Sequence, residues 1–498
     1  MNDEIKSISI PVTRNPFVNA QLVPAGNDPK TGEERFWTSS LNYIEGCIGA
    51  LVTESGSHRL YRFNPDNNES HFYGAAYSGD EIMWLTSFLD SITRLNLSTG
   101  ERKTYETGLP HSLSVSGLTY DEKTGKLFQM AYCQDDMTRK GFSFDTRTNT
   151  ISKIFPNIQI TNKQLRYSIK NNDGTYTLIC SGPNFDVLLW NPTDDKLTVL
   201  LDNYAMGVNL SQLDYSVAMQ RDDGAIFLPA YGWFDPLKKD FIADPMPTVD
   251  AAWFDADSDY AYGSKTMNLG NTILYRWNLK PGGVKILNEI PDSITYSFQL
   301  TKNNKIVCVN MYGFFYRIDA ETGAIETSVK FESDGIGHID CVYRIDEERL
   351  LCTPFITQRF YEINIATGIA DDLGRATGGM GEVLQVTGMD KKIYMASYTR
   401  GQLVEYDPSQ PAHFPENPRI AAAPVGKSMR PVAMCQNENT IYYSCSHKYG
   451  YLGSTLISHK PSAGETKFVE NPILNQMIRS LEYDEKLGKL IAATTYHG

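Results

Sequence analysis

The sequence predicts an all-β fold assembled from small antiparallel sheets repeated along its 498 residues. Three observations carry that expectation. A strand–turn–strand phrase recurs about nine times, the chain is rich in turn formers and aromatics with 38 Gly, 29 Tyr and 22 Phe, and no long segment shows the apolar period of an amphipathic helix.

The phrase is clearest over 79–108, GDEIMWLTSFLDSITRLNLSTGERKTYETG. Residues 82–86 are an apolar and aromatic run, 91–96 alternate polar side chains with Ile and Leu, and 102–107 alternate again, which reads as three consecutive strands. Between the second and third, Asn96 offers its side chain to its own backbone and Gly100 tolerates positive φ, the chemistry of a tight hairpin.

Relatives of this phrase end at Asn64, Asn96, Asp145, Asn191, Asn278, Asp319, Asn364, Asp407 and, more weakly, His459. Apart from a short first step and one long step after Asn191, the spacings run from 41 to 52 residues, the length of a four-stranded propeller blade. A second phrase, SGLTYDEKTGKLF from Ser116, returns as RSLEYDEKLGKLI from Arg479. Each copy reads as an inner strand, a turn and the start of the next strand. One such sheet cannot cover both its faces, so neighbours must stack, and radial closure leaves only short edges. The predicted architecture is a β-propeller of four-stranded antiparallel blades with about nine to ten units.

That number exceeds the roughly four to eight blades of an ordinary ring. The expected solution treats 1–40 as an N-terminal segment whose strands near 5–12 and 36–40 complete the last unit, and 41–498 as the blade array. Two packed rings, or a piece of a longer chain, are the alternatives. Residues 231–271 read as an insertion between the second and third strands of the fifth unit. It is either a lid or partner-docking knob, or a loop that packs Trp233, Phe234, Trp253, Phe254, Tyr260 and Tyr262 on its own scaffold. Within it Asp255, Asp257 and Asp259 have the alternating spacing of a calcium loop, but Tyr260 and Thr266 stand where an EF-hand needs Gly and Glu, and no metal is assigned.

Composition narrows the function classes. A net charge of −13 argues against a nucleic-acid partner, whose binding draws on clustered Lys and Arg, and no apolar stretch approaches a membrane span. The start, MNDEIKSISIPVTRNPF, lacks the basic and apolar regions of an export signal. Eight cysteines without CxxC spacing, mostly inside apolar runs, read as buried free thiols of a reducing compartment, so the expected location is cytoplasmic. The near phosphate loop at 421–428 runs into a strand pattern containing Pro431, and no GxSxG or HExxH motif appears.

The segment EIMWLTSFLDSITRLNLSTGERKTYETGLP resembles a blade of streptogramin B lyase and of related SMP-30, YVTN and quinoprotein-like propellers, through an apolar WxT strand, an IxR strand, a turn and a TxY strand. The resemblance implies the propeller fold. Propellers of this kind include lyases, lactonases, dehydrogenases and interaction modules, and the magnesium site with catalytic His and Glu of the streptogramin lyases maps onto no residues here, so the cofactor stays unknown.

In such a fold the loop entering each inner strand and the loop between the second and third strands share the face around the central funnel. Before inner strands stand His111, Arg166, His338, Arg430 and Arg479; in the middle loops stand His58, Arg359, Arg400 and the triplet His447, Lys448 and Tyr449. Arg forks with Tyr stacking suit an anionic or saccharide-like small ligand, and the expected ligand-binding set is His111, Arg166, Arg359, Arg400, Arg430 and Arg479. His338, His447 and Tyr449 are the candidate catalytic residues for a lyase that removes a proton beside a carboxylate. The alternative is a non-catalytic protein-recognition scaffold or sensor that uses the funnel rim and 231–271.

Overall fold

The computed structural model describes residues 17, 21–41, 46–64, 72–87, 91–109, 112–113, 117–133, 138–155, 164–181, 184–205, 219–228, 231–244, 246–249, 251–257, 259–267, 270–280, 282–291, 295–332, 338–377, 381–398, 400–424, 426–448 and 451–495. Among them every regular element is a β-strand. The strands pair into eleven antiparallel sheets, numbered here in chain order: nine of four strands, the third of five, and the last of two. Sheets 1 to 7 cover 23–62, 72–106, 112–155, 164–205, 219–242, 252–290 and 295–330. Sheets 8 to 11 cover 339–375, 383–422, 428–470 and 477–495.

The sequence phrase maps closely onto sheet 2, whose second to fourth strands are Ile82–Ser87, Ser91–Asn96 and Arg102–Glu106. Its turn forms as the residue types require. Asn96 Oδ1 accepts the backbone N–H groups of Ser98 and Thr99, each at 2.9 Å, and Gly100 takes φ +82°. The same side-chain cap recurs at Asp145, Asp319 and Asn364, each closing the third strand of its sheet.

Two compact units make up the chain. One comprises 15–267 and 271–333 and holds sheets 1 to 7. Its core is a series of apolar clusters, each shared by adjacent sheets; Trp277 of sheet 6, for example, packs on Phe227 and Trp233 of sheet 5. A last cluster joins Phe36, Ala50 and Val52 of sheet 1 to Val307, Val309 and Phe315 of sheet 7. That contact closes a seven-bladed β-propeller. The chain before sheet 1 fastens the seam, since Phe17 N–H donates to the Met311 carbonyl at 2.9 Å and Leu22 N–H to Ser297 Oγ at 3.0 Å. The other unit holds sheets 8 to 11, stacked through clusters between 8 and 9, 9 and 10, and 10 and 11.

Three expectations are corrected. Residues 36–40 do not complete the last unit, because Glu34–Ser39 is the second strand of sheet 1; residues 5–12 lie outside the described residues. The phrase ending at Asn64 falls on His58–Arg62, the fourth strand of its sheet where all other copies mark the third, which explains the short first step and removes His58 from the middle loops. Residues 231–271 are no insertion. They supply Gly232–Asp235 and Asp240–Ile242 to sheet 5, then Ala252–Ala256 and Tyr260–Thr266 to sheet 6. The long step after Asn191 therefore spans two blades. Trp233, Phe234, Trp253, Phe254 and Tyr262 are buried core residues, and Asp257 is spent on a turn, accepting from the backbone of Asp259 and Tyr260.

One irregularity recurs where function is expected. The register of the innermost strand slips near its start in nine sheets, at Pro24/Asn27, Phe72/Gly74, Leu165/Tyr167, Trp253/Asp255, Thr295/Ser297, Ile339/Cys341, Val383/Gln385, Ser428/Arg430 and Ile478/Ser480. A bulge adds one unpaired residue and re-aims its side chain out of the ladder. In sheet 8 that residue is Asp340.

Candidate ligand site

Inner strands of sheets 8, 9 and 10 bring their entry residues together. His338 precedes the strand Ile339–Arg344, its ring stacked on Phe355 at 4.1 Å, and its Nε2 lies 3.4 Å from Asp340 Oδ1. Glu382 precedes Val383–Met389, and Arg430 lies in Ser428–Gln436. Arg430 reaches back to Glu382, with Nη1 3.5 Å from Oε1, and spreads its guanidinium over the Tyr398 ring at 4.2 Å.

Tyr398 is itself held from two directions. Its N–H donates to the Glu382 carbonyl at 2.9 Å and its own carbonyl accepts from Gln358 Nε2 at 2.6 Å. Gly381 lies against its ring so closely that an added Cβ would sit 2.2 Å from Cδ1. Only glycine leaves room for that ring, so the stacked Tyr398–Arg430 plate depends on it.

The electrostatics are unusual for carboxylates. The Asp340 side chain is 14% exposed, and burial, then the neighbouring Glu382 charge, push its pKa up to about 7 against a smaller opposing pull from Arg430. Glu382, with its side chain 5% exposed, is raised by burial in spite of Arg430. His338 is lowered by burial and stays neutral around pH 7. Among the described residues, Asp340 Oδ2 and Glu382 Oε2 are buried and accept no hydrogen bond.

Of the residues expected from the sequence, His338 and Arg430 converge here, beside Asp340, Glu382 and Tyr398, which the sequence reading did not single out. Their signal was present, since each carboxylate stands at the entry to an inner strand, as His338 does. The others are placed differently. Arg400 is partly buried in the middle loop of sheet 9, its pKa lowered by burial and by nearby Arg375. Arg359 is engaged within sheet 8, where Nε donates to both Asp372 oxygens at 3.1 and 3.0 Å. Arg479 is exposed at the sheet 11 bulge. His447 is a structural histidine, buried in sheet 10 with Nδ1 2.9 Å from the Leu452 carbonyl and Nε2 3.3 Å from Thr455 Oγ1. Both ring nitrogens are occupied, which corrects its expected catalytic role. His111 and Tyr449 lie outside the described residues, as does the side chain of Arg166, whose backbone belongs to Gln164–Lys170 in the seven-bladed unit.

No family model matches the chain. No curated protein matches it either. Among solved structures it is similar to PorZ, an essential bacterial surface component of the type-IX secretion system of Porphyromonas gingivalis, at 11% identity over 96% of this chain and 62% of that chain, with a TM-score of 0.43. It is also similar to the extracellular domain of a putative hybrid two-component system of B. thetaiotaomicron, at 12% identity over 95% of this chain and 67% of that chain, with a TM-score of 0.33. The chain thus spans less than two thirds of the PorZ structure. The resemblance of 81–110 to known blades holds as far as a propeller, which the strand pairing itself shows.

The cytoplasmic expectation is corrected, because these matches are a surface component and an extracellular domain. Cys308 and Cys445 are wholly buried and burial raises both thiols far above their ordinary pKa, so they are inert to oxidation and carry no information about the compartment.

Proposed function

We propose that this chain is a ligand-recognition propeller whose second unit binds a hydroxyl-bearing, saccharide-like small molecule at the mouth of sheets 8 to 10. The observation that carries this reading is the pair of buried acceptors, Asp340 Oδ2 and Glu382 Oε2, without a donor among the described residues. A buried acceptor left unmatched costs about 1–3 kcal/mol, and a ligand hydroxyl placed there would recover it. Arg430, held flat by Tyr398, adds planar donors beside them. An anionic ligand fits poorly, because it would meet two carboxylates while the nearest guanidinium is already shared with Glu382.

Saturation-transfer NMR of the full chain with a panel of neutral monosaccharides tests the reading. Binding that weakens at least about tenfold in both Asp340→Asn and Glu382→Gln is expected, each substitution turning an acceptor into a poorer one. Binding unchanged by both substitutions would refute the site.

A further inference from the structure

Among the described residues, the site at sheets 8 to 10 is short of positive charge. Two buried carboxylates face one guanidinium, Arg430, which lies on the Glu382 side; the group beside Asp340 is His338, kept neutral by burial, and the next residue along the strand is the thiol of Cys341. A buried carboxylate without a compensating cation is among the costlier arrangements in a protein. Here two of them have been kept, with one oxygen each unmatched among the described residues. A third orphan sits close by in the strand pairing. Ser397, opposite Val383 in the register and next to Tyr398, is wholly buried and its Oγ has no hydrogen-bond partner among the described residues.

The donor that fits this set is identified by counting acceptors. An ammonium group carries three N–H donors and one positive charge. Asp340 Oδ2 and Glu382 Oε2 supply two acceptors and the missing negative counter-charge. A calcium ion would need six to eight oxygen ligands, and among the described residues no group of three or more His, Cys, Asp or Glu side chains is placed to hold a metal. A neutral hydroxyl would match one oxygen but leave the charge uncompensated.

We propose that the ligand of this site carries an ammonium group, an amino sugar or similar hydroxyl-bearing amine, with the nitrogen held between Asp340 Oδ2 and Glu382 Oε2. This rests on the preceding reading that the pocket binds a hydroxyl-bearing small molecule. The amine end pairs with the carboxylates while the Tyr398–Arg430 plate and Ser397 lie along the rest of the site. Bringing a cation in also favours the ionised form of Asp340, so binding strengthens as pH rises through the range in which Asp340 ionises, with Glu382, Arg430 and His338 as the other charged or titratable groups facing it.

The test compares glucosamine and galactosamine with glucose, galactose and N-acetylglucosamine, titrated into the full chain at pH 7.5. At least tenfold tighter binding of the amines is expected, with the amine-to-neutral ratio falling below about threefold in Asp340→Asn, as expected for loss of a charge-assisted hydrogen bond. Should Asp340→Asn fail to fold, the wild-type ratio at pH 7 and pH 5.5 decides, and it must shrink at the lower pH. Equal affinity for amines and neutral sugars would overturn the ammonium assignment while leaving the saccharide reading standing. Binding of neither class would overturn both.

Discussion

Asp340→Asn should stabilise the unit that contains sheets 8 to 11, and only above about pH 4. Folding takes a carboxyl with an ordinary pKa of 3.8 and holds it at about 7, so the folded state retains a proton that the unfolded chain has already released. The stability cost is absent below about pH 4, grows as pH rises towards 7 and is complete above it, where it amounts to about 4 kcal/mol. Asparagine keeps the shape and removes the cost, and Glu382 relaxes once its like-charged neighbour is gone. The assay must read the correct unit. All six tryptophans lie in sheets 1 to 6, so indole fluorescence would report on the seven-bladed ring alone. Hydrogen exchange of peptides from 338–398 reads the opening free energy of sheets 8 and 9 directly. Comparing variant with wild type at matched pH cancels intrinsic exchange rates. Protection is expected to rise by at least about 2 kcal/mol at pH 8 and to be unchanged at pH 4. An equal effect at both pH values would show that Asp340 is not a buried, uncompensated acid.

Other outcomes follow from the same geometry. Gly381→Ala should displace the Tyr398 ring, costing about 1–3 kcal/mol in hydrogen exchange of sheet 9 and weakening any ligand that uses the Arg430 plate. His447→Ala should leave the Leu452 carbonyl and Thr455 hydroxyl without their ring partner, costing about 1–3 kcal/mol in sheet 10 with no change in ligand affinity; loss of binding would restore it to the site. Trp277→Ala should cost about 3–5 kcal/mol in urea unfolding followed by the remaining indoles, since it removes a wholly buried ring from the junction of sheets 5 and 6.

The blade unit was legible because it is local. Alternation, the Asn96 cap and the Gly100 φ act within about thirty residues, and sheet 2 follows them closely along the chain. Legibility failed where strands were short or the phrase was out of phase. The strands of sheet 5 are only two to four residues long, and their glycines and aromatics resembled a loop. At Asn64 the same residue types closed a fourth strand, because nothing in the phrase encodes which strand of a sheet it ends.

For the site the limits differ. His338 and Arg430 could be picked out by their position at inner-strand entries, but so could Arg479, which is exposed, and His447 was chosen although its ring is spent on sheet 10. Sequence alone determined the all-β repeat, its period and the face on which entry residues gather, because backbone pattern and turn chemistry are properties of neighbours in the chain. Tertiary structure alone decided that seven sheets close into a ring and that Asp340, Glu382 and Arg430 meet with two oxygens unmatched among the described residues. Ring closure depends on contacts between residues nearly three hundred positions apart, and the charge state of a carboxyl depends on what burial removes around it; neither is written in any stretch short enough to be read by its pattern.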